Sequence, residues 1–205
     1  MKRKFLQLFE KKDQHPFIPI VSGLPRSGTS LMMSMLAAGG LEVLTDQLRT
    51  PDDDNPVGYF ELEDVKKLIK GDHSWLASSN GKAVKVISTL LPYLPDGYRY
   101  RIIFMRRPME EVLASQRKML INRGENPDKI SDDQMADVFE KNLQQTEMWI
   151  NSQTHATRID IKYKQLVANP GPLVAEINIF LGGGLDEHKM LGVINPALYR
   201  HRSTK

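Results

Sequence analysis

Apolar residues in this chain follow two alternating patterns: short unbroken runs of strand length, and longer stretches in which they recur every three or four positions. Gly and Pro mark the changeovers. The first run, FIPIVS (Phe17 to Ser22), predicts a buried strand and leads through the turn GLPRSG into an apolar segment, TSLMMSMLAAGG. That segment predicts a buried helix, capped by Thr29 or Ser27 and stopped by Gly39 and Gly40. A loop rich in turn formers, TPDDDNPVGY, precedes ELEDVKKLIKGD, which sets Leu62, Val65, Leu68 and Ile69 on one helical face.

Two further runs, AVKVISTLL (Ala83 to Leu91) and YRIIFM (Tyr100 to Met105), predict buried strands pairing beside the first. Pro108 then opens a helix, MEEVLASQRKMLINRG, closed by Gly124, with Met109, Val112, Leu113, Gln116 and Leu120 on a shared face. Ser131 is predicted to cap DDQMADVFEKNLQQTEMWINSQ, whose Met135, Val138, Phe139, Trp149 and Ile150 recur at helical spacing and read as core. A last strand, ATRIDIKY, precedes a helix from about Gly171 to Leu181, ended by three glycines. The alternation predicts an α/β fold. No repeat, low-complexity tract or linker divides the chain, so one domain over 1–205 is expected, with a core at about 17–200 behind a basic segment 1–15.

Composition narrows the function. With 40% hydrophobic and 26% charged residues in 205, the chain has ordinary globular composition, and 28 Lys and Arg against 25 Asp and Glu leave a net charge of only +3. That excludes a nucleic-acid polycation as the default reading while allowing a local basic pocket. The absence of cysteine excludes disulfides, thiolate zinc sites and cysteine nucleophiles. The N-terminal MKRKFLQLFEKKDQH has no apolar run of signal-peptide length, and no window has the 18 or more apolar residues of a membrane span. No membrane partner and a cytoplasmic location are expected.

The most informative stretch is Gly23-Leu24-Pro25-Arg26-Ser27-Gly28-Thr29-Ser30, because it follows a predicted strand and opens a predicted helix. In that context the loop amides and the positive helix end converge on one concavity, which suits a phosphate. Gly28 is expected to let the backbone approach the ligand closely. The Gly-x4-Gly spacing matches a Walker loop, but Thr29 stands where the lysine that reaches the β and γ phosphates belongs. Arg26 is the loop's cation, placed to fork onto a phosphate or a bridging oxygen.

PRSGTS after a strand resembles the 5'-phosphosulfate loop of sulfotransferases: Pro, a basic residue, Ser, Gly, Thr, then Thr or Ser. YRIIFMRRPMEEVLASQ is similar to the same family's 3'-phosphate segment, a strand ending in Arg with a Ser eight residues on. Arg107 and Ser115 have that spacing, whereas the family's Arg-x-Pro selects Arg106, so the resemblance leaves both arginines in play. IDIKYKQLVANPGPLVAEINIFLGG resembles the family's Y-x-x-L-x-x-x-P and the helix that follows it. The resemblance, over roughly 17 to 200, implies a three-layer, P-loop-like domain with a central, mainly parallel sheet flanked by helices, of the prokaryotic sulfotransferase type. It implies binding of 3'-phosphoadenosine 5'-phosphosulfate (PAPS), with 3',5'-ADP (PAP) as product and without a metal. Pro25, Arg26, Ser27, Gly28, Thr29 and Ser30 would form the 5' side of the donor site, and Arg106 or Arg107 with Ser115 the 3' side. Arg200 and Arg202 would cover the 3'-phosphate, although the family's Arg-Lys-Gly loop is absent here.

Sulfuryl transfer places charge on the departing oxygen, for which Arg26 is the natural partner, and it needs a base for the acceptor hydroxyl or amine. Glu61, in NPVGYFE, is the first choice for that base; a first-turn glutamate serving only the helix dipole is its bland counterpart. His73, in GDHSW, is the rival. Lys85 is conspicuous inside a strand run, as a group that reaches the sulfuryl or as a strand-end lysine with its charge in water. The expected partner is a small-molecule or peptide acceptor. A P-loop kinase and a non-catalytic PAP-binding module are the alternatives.

Overall fold

In the computed structural model, residues 16–46, 48 and 58–195 are described. Five strands form one parallel sheet in the order β2-β3-β1-β4-β5: β1 Ile18–Gly23, β2 Val43–Leu44, β3 Ala83–Lys85, β4 Tyr100–Arg106 and β5 Ala156–Lys162. All pairs run parallel because each connection carries the chain back along a face of the sheet. The α-helices are α1 Thr29–Ala38, α2 Met109–Asn122, α3 Asp132–Ser152, α4 Tyr163–Ala168, α5 Pro170–Phe180 and α6 Glu187–Gly192, and Glu63–Lys70, Ser74–Ser78 and Ser88–Tyr93 are 3-10 helices.

Alternation along the strands builds two cores. Val21, Ile103, Met105 and Ile161 pack on α1, α5 and α6 through Met32, Leu36, Ile177 and Met190. Ile18, Ile20, Ile102 and Phe104 face the other way, onto Leu68, Leu76 and Leu91 of the 3-10 helices and Ile150 of α3. The result is the expected three-layer α/β architecture. β1 lies between β3 and β4, with the chain leaving it first toward one edge and later toward the other, so its C-terminal end is the topological switch point where α/β sheets bind ligands.

Several local expectations change. AVKVISTLL is a strand only to Lys85, with one further bond to β1 from the Val86 amide to the Val21 carbonyl at 3.0 Å. Its remainder coils into the 3-10 helix at Ser88–Tyr93, where Leu90 and Leu91 are buried and Thr146 Oγ1 donates to the Ser88 carbonyl. On α2 the buried positions are Glu111, Val112, Ser115 and Met119, so the face turns away from Leu113, Gln116 and Leu120. α3 buries Thr146 and Ile150, while Val138 and Met148 are exposed. At about 1.5 Å per residue this helix is about 30 Å long, against about 23 Å for a seven-residue strand, and its N-terminal half stands clear of the sheet.

Ser131 caps α3 as predicted: its side chain accepts from the Gln134 amide and Gln134 reaches back to the Ser131 amide. Replacing Ser131 with Ala is expected to cost about 1 kcal/mol in urea unfolding, with an unchanged m-value.

Candidate active site

The loop after β1 is a tight turn. The Ser27 amide donates to the Leu24 carbonyl at 3.2 Å, with Pro25 and Arg26 between them. Arg26 has φ 67°, giving the type II pattern in which proline precedes a left-handed residue. Glycine or asparagine normally takes that position; an L side chain there costs about 1–2 kcal/mol. Ser27 does not cap the helix, and neither does Thr29: the N-cap is Gly28, and the Ser27 hydroxyl donates to the Leu24 carbonyl at 2.7 Å. With no side-chain cap, the positive end of α1 and its first-turn amides open on the loop.

Two glycines are dictated by space. A Cβ on Gly23 would lie 2.5 Å from Ser27 Oγ and 2.8 Å from the Met105 carbonyl oxygen. A Cβ on Gly28 would lie 2.4 Å from the ring of Tyr163, at the start of α4, so the close approach that Gly28 permits is to this ring.

The Arg26 side chain crosses to α2, where its Nε donates to Ser115 Oγ at 3.0 Å. This bond brings together the two motifs, 89 positions apart. The two arginines that end β4 diverge. Arg106 binds Asp160 at 2.7 Å and Glu147 at 2.6 Å and lies over the Phe104 ring, on the β5 and α3 side. Arg107 turns under the loop: its Nη1 donates to the Arg26 carbonyl at 3.0 Å, its Nε to Glu111 Oε2 at 3.0 Å, and its guanidinium carbon lies 4.8 Å from the Tyr163 ring centroid. Burial pushes the Tyr163 phenol above its ordinary pKa, against the pull of Arg107, so the ring remains neutral.

Across the edge, Lys85 ends β3 with its side chain 8% exposed. Its ammonium donates to the Tyr59 carbonyl and lies 3.7 Å from Glu61 Oε1. Ser30 Oγ reaches the same Tyr59 carbonyl at 3.5 Å, tying α1 to this segment. Lys85 is thus a strand-end lysine turned inward to partners. Phe60, between Tyr59 and Glu61, has φ 49°; it and Arg26 are the non-glycine residues with positive φ among those described.

The Glu61 backbone is fixed from β2's tail: its carbonyl accepts from the Asp46 amide and from Thr45 Oγ1, both at 3.0 Å. Asp46 in turn accepts from the amides of Leu48 and Glu63 at 3.0 and 2.6 Å. His73 lies elsewhere. It is exposed, bonds the Gly71 carbonyl of its own turn, and is separated from Glu61 by an eight-residue 3-10 helix, about 16 Å of rise. Arg200 and Arg202 lie outside the described residues, as does the acidic run at 52–54. Pro25 is exposed at the tip of the turn, and Thr29 is nearly buried. Among the described residues no three His, Asp or Glu side chains gather as a metal would need, and no helix is long and apolar enough to cross a membrane.

Two solved structures share this architecture. The sulfotransferase domain from the curacin biosynthetic pathway matches with a TM-score of 0.55 at 16% identity, over 89% of this chain and 79% of that one. Sulfotransferase STF1 from Mycobacterium tuberculosis H37Rv matches with a TM-score of 0.59 at 18% identity, over 92% of this chain and 74% of that one. The chain has the sulfotransferase fold. At these identities the likeness is one of fold, and no family model and no curated protein sequence matches.

On this sulfotransferase fold, residues that sequence reasoning passed over prove central. Glu111 reads as an ordinary first-turn acid, yet its i,i+4 spacing from Arg107 was a signal for pairing. Tyr163 heads the motif Y-x-x-L-x-x-x-P, but nothing in the spacing tells that its ring meets Gly28. Asp46 carries no motif at all.

Two measurements check this geometry. Gly28→Ala is expected to lower unfolding free energy by at least about 1–2 kcal/mol, since it adds left-handed strain to a clash with Tyr163. Asp46 is held below the usual carboxylate pKa, chiefly by the Leu48 amide. A depressed folded value means its contribution is complete above the unfolded pKa, near 4, and is lost as pH falls below it. Wild type is therefore expected to exceed Asp46→Asn in stability at pH 7, with the gap closing by about pH 2–3 in denaturant titrations.

Proposed function

We propose that the protein is a sulfotransferase that moves the sulfuryl group of PAPS to a hydroxyl or amine on a small-molecule or peptide acceptor. The reading rests on the Arg26–Ser115 hydrogen bond, which joins the PRSGTS loop to the Arg-x7-Ser segment on a sulfotransferase fold. These residues fit the donor. Loop amides with the hydroxyls of Thr29 and Ser30 suit the 5'-phosphate, and the Ser115 hydroxyl suits the 3'-phosphate that distinguishes PAPS from ATP. Thr29, in place of a Walker lysine, offers nothing to a γ phosphate.

When bound, PAPS supplies a sulfuryl group on a phosphate leaving group. Arg26 places a planar, permanently charged fork at the mouth of the loop, where it stabilises charge building on the departing oxygen. Lys85, desolvated and already ordered against Tyr59 and Glu61, adds a second fixed positive charge on the acceptor side. Glu61 receives the acceptor's proton at its carboxylate, held in place by the Asp46 and Thr45 bonds to its backbone. His73, a helix away, takes no part in this reading.

Calorimetric titration tests it. In EDTA, wild type is expected to bind PAP in preference to 5'-AMP, with Ser115→Ala abolishing the preference. Binding only to ATP with Mg2+ would replace this reading by a kinase. In a sulfuryl-transfer assay, Glu61→Gln and Lys85→Met are expected to reduce turnover by about 100-fold or more while PAP affinity is kept. PAP binding without turnover on any acceptor would leave a binding module.

A further inference from the structure

Glu111 and Arg107 form an ion pair whose side chains are 2% and 8% exposed, an arrangement that is costly to desolvate and that the donor and acceptor chemistry above leaves without a task. The pair lies directly beneath the strained turn. Glu111 engages the Nε edge of the guanidinium, Tyr163 lies against its face, and Nη1 is thereby aimed at the Arg26 carbonyl. Arg26 at φ 67° is in a conformation that a relaxed L residue leaves, so its carbonyl needs a fixed donor to stay where it is. Arg107 is that donor, and the direction of the Arg26 side chain toward Ser115 follows from the same backbone setting.

We propose that Glu111, acting through Arg107, is a positioning residue that holds the phosphate loop in its left-handed turn and so aims Arg26. The ligand arm of this proposal rests on the PAPS reading. The resemblance implies that Arg106 or Arg107 serves the 3'-phosphate; support of the loop by Arg107 predicts something different, because it matters equally to any nucleotide seated by its 5' end.

The test compares PAP with adenosine 5'-phosphosulfate, which lacks the 3'-phosphate, in Glu111→Gln, Arg107→Lys and Ser115→Ala, together with hydrogen exchange of the amides of Leu24 and of residues 26–30. Glu111→Gln is isosteric, and Arg107→Lys keeps the charge but not the fork. Both are expected to weaken the two nucleotides in parallel by about tenfold, the scale for groups that orient a binding residue. Ser115→Ala is expected to weaken PAP more than adenosine 5'-phosphosulfate, because it removes the 3'-phosphate contact in addition to the partner of Arg26 Nε. Loop amides should exchange faster in the first two variants while those of α5 keep wild-type protection, which separates loosening of the loop from global destabilisation. Loss of PAP alone in Arg107→Lys, with wild-type loop protection, would overturn the proposal, as would wild-type behaviour of Glu111→Gln. If wild type binds neither nucleotide the PAPS reading fails, and exchange alone decides: unchanged loop protection in both variants overturns the positioning role.

Discussion

The ring of Tyr163 meets both Gly28 of the loop and the guanidinium of Arg107, and that stack sets where the loop after β1 sits above the sheet. Any side chain at position 28 would push the ring away, and a displaced ring would release one face of the arginine that binds the Arg26 carbonyl. Burial keeps the phenol neutral, so the stack does not change with pH across the physiological range. The loop is therefore held from below by an aromatic, a buried ion pair and one carbonyl hydrogen bond, rather than by the side-chain cap that most helix ends of this kind would use.

The segment that carries Glu61 is tied to this support through the Tyr59 carbonyl, which takes hydrogen bonds from both Lys85 and Ser30. One carbonyl thus joins β3, the first turn of α1 and the segment that carries Glu61. Asp46 and Thr45 hold the same segment from the other side, so the carboxylate is delivered by a backbone fixed at several points although the residues before it run through a long polar stretch.

Much of this was legible beforehand. Unbroken apolar runs gave β1, β4 and the α/β alternation, since a strand buried on both faces leaves no other pattern, and the resemblance implied the three layers. The motif PRSGTS and Ser115 were picked out by the resemblance, and the fold brings them together through the Arg26–Ser115 hydrogen bond. Lys85 stood out as a charge in a buried run. What periodicity misjudged was packing at the margins: the 3-10 helix at Ser88–Tyr93 carries the same apolar residues a strand would, and α3 has Val138 at core spacing yet leaves it exposed. The choice between Arg106 and Arg107 was invisible, because consecutive strand residues point to opposite faces and only the partners, Asp160 and Glu147 against Glu111 and Tyr163, say which face meets the loop.

The two left-handed residues, Arg26 and Phe60, have an evolutionary corollary. Each position would be more comfortable as glycine, and a population selected only for resistance to heat would drift toward that substitution. Against that stand the contacts the side chains make: Arg26 donates to Ser115 at 3.0 Å, and Phe60 packs against the core beside α1. A substitution at either position therefore exchanges backbone strain for a lost contact, which limits how freely it can vary.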